Sequence, residues 1–249
     1  MPSASGVGGT PQLPSSLQAD HREFTRILSE RIPREGADIN VLHLLTNFGL
    51  LVYEDAERFG LISRRDRSSL FTRHVLDSLN PISLFDRPPS SALDVGSGAG
   101  FPGIPLAVVW PSATMTLLES REKKAAFLER AVRELALKNT KVAPSRLEDL
   151  VPGSLAERGP GSGDMSAVSS PQRAGFDAVF IRALSSLPTL LARLGPLCAP
   201  GGRWVYFLGA GSSADEIGSG LAPLGLTAEV APGHFGGQLL HGRFGELSR

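Results

Sequence analysis

The chain has one cysteine, Cys198, in 249 residues. That excludes an internal disulfide framework and any multi-cysteine zinc site. The five histidines, at 21, 43, 74, 234 and 241, share no metal-ligand spacing, so no metal is expected. An excess of either charge is also missing: lysine plus arginine equals aspartate plus glutamate at 25 each. A broadly basic nucleic-acid binder is thereby excluded, and any nucleic-acid contact must use a local patch. No apolar run is long enough to cross a membrane. Residues 1–20 lack a basic start and an apolar stretch, so no secretory signal is read there and a cytoplasmic protein is expected. Nucleophile elbows, P-loops and paired carboxylates are absent as well, and no side chain is assigned to catalysis.

What is present centres on residues 92–103. The apolar run Ala92–Leu93 reaches Asp94 and Val95, and glycines follow at 96, 98, 100 and 103. This reads as a buried parallel strand opening into a tight loop and then a helix. Glycine permits positive φ and lets a ligand approach the backbone, so a Cβ at Gly98 is expected to obstruct binding. A dinucleotide loop needs its third glycine at position 101, which is Phe101. The loop therefore fits S-adenosylmethionine better than NAD.

The remaining pattern builds a frame around that loop. Residues 1–18 hold Pro, Ser, Gly and Gln with few large apolars and are expected to be a disordered tail. Residues 19–87 show apolar spacings of three and four and read as a helical segment. Residues 88–249 alternate strand and helix, which predicts a doubly wound α/β domain of Rossmann type with a mostly parallel sheet. Strands are expected at 92–95, 114–118, 141–143, 176–181 and 204–208, with helices near 103–110 and 186–197 and Ser120 as a helix N-cap. An antiparallel edge is expected from 226–230 and 238–244. Residues 151–175, rich in Gly, Ser and Pro, read as a flexible insertion.

Candidate site residues lie where strands end. Asp94 would hold the loop or a methionyl amine, or cap the strand. Glu119, 23 residues beyond Gly96, offers two acceptor oxygens to ribose hydroxyls, or is a first-turn helix acid. Leu147 and Glu148 would pack on and read an adenine. Arg182, ending the fourth strand, would stack on a base or pair with phosphate, or form a structural ion pair. Arg58, Arg64, Arg65, Arg67 and Arg73 surround a single acid, Asp66, and form a candidate RNA patch or a solvated helix face.

Several stretches resemble one family. Arg73–Leu79, Asp94–Ala107, Leu117–Leu128, Ser145–Glu148 and Arg182–Ala183 look like RsmG, also called GidB, over roughly residues 40–209. The run from Gly100 to Pro105 is the specific part. The resemblance implies a class I methyltransferase that methylates N7 of one guanine in 16S ribosomal RNA with S-adenosylmethionine; a monomer with no membrane or metal partner is expected. It implies cofactor contacts at Gly96, Phe101, Leu147, Glu148 and Arg182. Gly98, Gly100, Asp94 and Glu119 join them from the loop reading. Arg64, Arg65, Arg67, Arg73, His74, Lys123 and Lys124 are the RNA candidates. The chain departs from the family at Gly60–Ser63 and at Leu208, where a lysine is usual. A same-fold enzyme acting on a small molecule or protein, and a non-catalytic cofactor-binding RNA factor, remain alternatives.

Overall fold

The computed structural model describes residues 12–31, 39–150, 175–182, 186–209 and 213–245. Seven strands form one sheet: β1 Ser91–Val95, β2 Thr114–Leu118, β3 Thr140–Ala143, β4 Phe176–Arg182, β5 Cys198–Phe207, β6 Glu229–Pro232 and β7 Gln238–Arg243. Their order is β3-β2-β1-β4-β5-β7-β6. The pairings from β3 through β5 are parallel, and β7 is antiparallel to both β5 and β6. The helices are α1 Gln18–Arg31, α2 Ile39–Phe59, α3 Gly103–Val109, α4 Glu122–Glu134, α5 Leu187–Leu194 and α6 Ala214–Ser219.

Side chains alternate across a pleated strand, so each central strand feeds two cores. Ala92, Met115, Leu117, Ala178, Phe180, Val205 and Phe207 pack with the N-terminal helices, α3 and α4. Leu93, Val95, Leu118, Val179, Ile181 and Trp204 pack on the other face, where α5 supplies Leu187, Leu191 and Leu194. Because Arg182 shares the parity of Ala178 and Phe180, it belongs to the face carrying the N-terminal segment. Asp94 shares the parity of Ala92 and faces the start of α3.

The N-terminal segment is bound tightly into the first core. Phe24, Phe48 and Phe71 are fully buried there. Asp20 of α1 accepts hydrogen bonds from the backbone N–H groups of Phe71 (2.6 Å) and Thr72 (3.2 Å), tying α1 to the π-helical turn Phe71–Leu76. A 3-10 stretch, Asp77–Leu84, follows with Pro81 inside it.

Three expectations need correction. The tail does not extend to residue 18: Ser15–Leu17 forms a 3-10 turn, Leu17 is fully buried with Leu13 packed on the same core, and Ser16 Oγ lies 3.0 Å from the Tyr53 hydroxyl. The fifth strand begins at Cys198, and its partner register shifts between Phe176 and Ala178, so Pro200–Gly202 is a bulge inside the strand. Arg121, and not Ser120, occupies the N-cap position of α4. Residues 1–11 and most of the expected insertion, 151–174, lie outside the described residues.

Candidate cofactor and RNA site

The ends of β1, β2, β3 and β4 meet at one edge of the sheet, where ligands gather in open α/β folds. The loop after β1 holds Gly96 at φ +71°, Gly98 at +58° and Gly100 at +93°, a left-handed path that side chains disfavour. At Gly98 a Cβ would meet nothing closer than Gly96 O at 3.7 Å. The constraint there is the positive φ, and the expected clash does not arise within the protein. Gly100 is different: its Cβ would fall 2.7 Å from Ile104 Cδ1 and 3.1 Å from Phe48.

Two carboxylates fix this loop. Glu119 is buried and accepts from the N–H of Gly98 (2.9 Å) and the N–H of Arg121 (2.8 Å). One side chain thus joins the β1 loop to the start of α4, and each oxygen keeps a second lone pair. Asp94 Oδ2 accepts from Gly103 N–H at 3.0 Å, while its Oδ1 is buried without a hydrogen-bond partner. Burial raises the Asp94 pKa to about 7, against the lowering influence of its hydrogen bonds and of Arg182.

Arg182 lies across the loop. Its guanidinium donates to Asp77 Oδ2 at 2.6 Å, with longer contacts of 3.4 Å to Ser78 Oγ, the carbonyl of Arg73 and His74 Nδ1. It also stands 5.9 Å from the centre of the Phe101 ring and 5.5 Å from that of Phe207. Burial works against both charges of the pair, lowering the Arg182 pKa and raising that of Asp77, and their mutual attraction offsets part of this cost. His74 stacks on Phe101 with centroids 5.4 Å apart, and burial, with Arg182 beside it, lowers its pKa to about 4.

This chain matches, over residues 42–221, the family described as rRNA small subunit methyltransferase G. The chain belongs to that family. Relatives bearing the name ribosomal RNA small subunit methyltransferase G include one from Acidiphilium cryptum, 36% identical over 69% of this chain and 70% of its own length. Another, from Carboxydothermus hydrogenoformans, is 31% identical over 83% of this chain and 80% of its own. Among solved structures, a methyltransferase from Geobacter sulfurreducens superposes with a TM-score of 0.53 at 13% identity, covering 90% of this chain and 96% of that one. The O-methyltransferase TomG from Streptomyces achromogenes, solved in complex with SAM, gives 0.51 at 15% identity, over 92% and 99%. These likenesses show the fold, which this chain shares with solved methyltransferases.

Within this methyltransferase G family member, the sequence-predicted residues separate into groups. Asp94, the loop glycines, Glu119 and Arg182 converge on the sheet edge. Phe101 is near them, but its ring turns away into the core, edge-on to Phe48 at 5.1 Å. Leu147 packs toward the α5 core, and the exposed Glu148 pairs with Arg193 of α5. The arginine patch is weaker than its composition implied. Arg67 turns inward, 3.1 Å from Glu57 and 4.4 Å from the Tyr53 ring centre. Arg64 stands 3.6 Å from the same Glu57, and Arg73 pairs with Asp66 at 3.2 Å. Arg65 and Lys123 are exposed, Lys124 is half-buried beside Gly98, and neutral His74 brings no cation. Asp77 and Asn80 were missed, although both stand in or beside the Arg73–Leu79 run. Among the described residues no His, Cys, Asp or Glu cluster suits a metal, and no helix is long and apolar enough to cross a membrane.

Proposed function

We propose that the chain transfers a methyl group from S-adenosylmethionine to N7 of a guanine in 16S ribosomal RNA, as a cytoplasmic monomer. One observation carries the reading: in a member of this family, the glycine loop, Glu119 and Arg182 meet at one sheet edge. The residues fit the cofactor's chemistry. The loop is open at Gly98, Glu119 keeps acceptor capacity for hydroxyls, and the buried Asp94 Oδ1 lacks a partner that a cationic amine would supply.

When bound, S-adenosylmethionine supplies a methyl group on a positively charged sulfur. Glu119 would hold the ribose, the loop backbone and Asp94 the methionyl end, and the loop through Leu147 and Glu148 the adenine. Guanine N7 bears a lone pair and no hydrogen, so no side chain has to remove a proton from it. The protein's task is alignment, and holding two reactants in line lowers a barrier by about 7–11 kcal/mol. Arg182 stays at the edge of the crevice, where a planar guanidinium can meet a base or phosphate. Arg65 and Lys123 supply exposed charge for the RNA backbone.

Arg182→Lys should lower methyl transfer about ten-fold with the melting temperature nearly unchanged, since an ammonium cannot reproduce a planar, multiply bonded guanidinium. Unchanged turnover would reduce Arg182 to a structural ion pair. Cofactor binding should also depend on pH. Asp94 keeps its proton below about pH 7 in the free protein, and a neighbouring ammonium favours the anion. Binding then releases a proton below that pH, and affinity rises as pH increases through 7. Calorimetry in buffers of different ionisation heat would detect the release, and Asp94→Asn should abolish it.

The function is tested by offering tritiated S-adenosylmethionine with naked 16S RNA, small ribosomal subunits and total protein. Label in the RNA of either substrate supports the reading. Label in protein alone supports the same-fold alternative.

A further inference from the structure

We propose that Asp77 is the positioning residue for Arg182, and that Asn80 ties Asp77 to the tip of the β6–β7 hairpin. The inference rests on the reading of Arg182 above as a group that meets substrate or cofactor. Of the guanidinium's four polar contacts among the described residues, only that to Asp77 is short, at 2.6 Å; the others are 3.4 Å and correspondingly weak. The direction of Arg182 is therefore set by one carboxylate on the N-terminal segment.

Asp77 is itself held. Its Oδ1 accepts from Asn80 Nδ2 at 2.6 Å. The other end of that buried amide, Oδ1, accepts from the N–H of Phe235 at 2.7 Å. The Asn80 carbonyl also accepts from His234 N–H at 3.4 Å. Position 233 has no room for a side chain, because a Cβ there would lie 2.3 Å from Gly236 O within the hairpin and 2.5 Å from Asn80 Cγ. Arg31 fastens the same tip from α1, donating to the His234 carbonyl at 2.8 Å.

The tip lies at the ligand edge of the sheet. Leu208 N–H donates to Gln238 O at 3.1 Å just beyond the end of β5, so residues 233–237 emerge beside the ends of the parallel strands. An unbroken path of hydrogen bonds thus runs from the C-terminal hairpin through Asn80 and Asp77 to Arg182. An amide with both ends engaged has one orientation, and a carboxylate bonded at both oxygens cannot rotate freely. The path fixes the guanidinium more firmly than one ion pair alone would.

The test is a double-mutant cycle on methyl transfer with Asp77→Asn, Arg182→Lys and both, in the full chain at matched melting temperature. Asp77→Asn should cost about ten-fold in kcat with wild-type Arg182, and less than about two-fold in the Arg182→Lys background. Equal losses in both backgrounds, or no loss with wild-type Arg182, would overturn the proposal. A second readout needs no activity: the rate at which phenylglyoxal modifies Arg182, followed by mass spectrometry of its peptide. Asp77→Asn and Gly233→Ala should each raise that rate several-fold. An unchanged rate in Asp77→Asn overturns the positioning role, and an unchanged rate in Gly233→Ala overturns the link to the hairpin. If the wild type methylates no RNA, the functional reading fails by itself, and the modification rates still decide the positioning.

Discussion

Glu119→Gln should weaken S-adenosylmethionine binding about a hundred-fold while the chain stays folded. The carboxylate receives two backbone N–H groups on its two oxygens, from Gly98 at 2.9 Å and Arg121 at 2.8 Å. Glutamine offers one oxygen and one NH2, so in either orientation a donor faces a donor. The site is buried, so the unmet N–H is not rescued by water. The remaining acceptor capacity that would meet the ribose hydroxyls falls with it. Charge-assisted hydrogen bonds contribute roughly 1.5–3 kcal/mol each, and about 2.7 kcal/mol corresponds to the hundred-fold loss. Calorimetry of the variant against Glu122→Gln, an exposed neighbour, is the check. Equal affinity in both would remove Glu119 from the cofactor site.

Gly103→Ala should be the more damaging change to the fold. A Cβ there would lie 2.3 Å from Leu117 Cδ2 and 2.6 Å from Asp94 Oδ2. The first contact forces α3 away from β2 inside a close-packed core, and the second strains the bond by which Gly103 N–H satisfies Asp94. Overpacking of this kind typically costs about 1–3 kcal/mol, and a weakened hydrogen bond to a buried carboxylate adds to it. We expect a loss of about 3 kcal/mol or more, or roughly 6–12 °C in melting temperature for a chain of this size. Gly60→Ala, at a position with open space around it, should cost far less despite its φ of +60°. Similar melting temperatures for the two variants would contradict this account of the loop.

The frame of the fold was legible because strand ends and glycines announce themselves locally. The alternation of Ala178, Val179, Phe180 and Ile181 even carries the parity that sends Arg182 to one face. What occupies that face was not legible, because Asp77, held by Asn80, reaches Arg182 only through packing between segments about a hundred residues apart. The same limit explains Phe101. The resemblance named it as a cofactor contact, and nothing local in the sequence says that its ring packs with Phe48 and His74 of the N-terminal segment. Composition overstated the arginine patch for a related reason. Glu57 lies outside the counted run, yet α2 brings it beside Arg64 and Arg67. The fifth strand was expected to start only at 204 because proline and glycine, here inside the bulge at Pro200–Gly202, mark turns as well as bulges.

The most direct test of the central claim is chemical mapping of the methylated product. 16S RNA treated with the protein and S-adenosylmethionine is reduced with borohydride and cleaved with aniline, which breaks the chain at N7-methylated guanines. A new break is expected at one guanine, absent without cofactor and strongly reduced with Glu119→Gln. Methyl label in the RNA without any such break would contradict it.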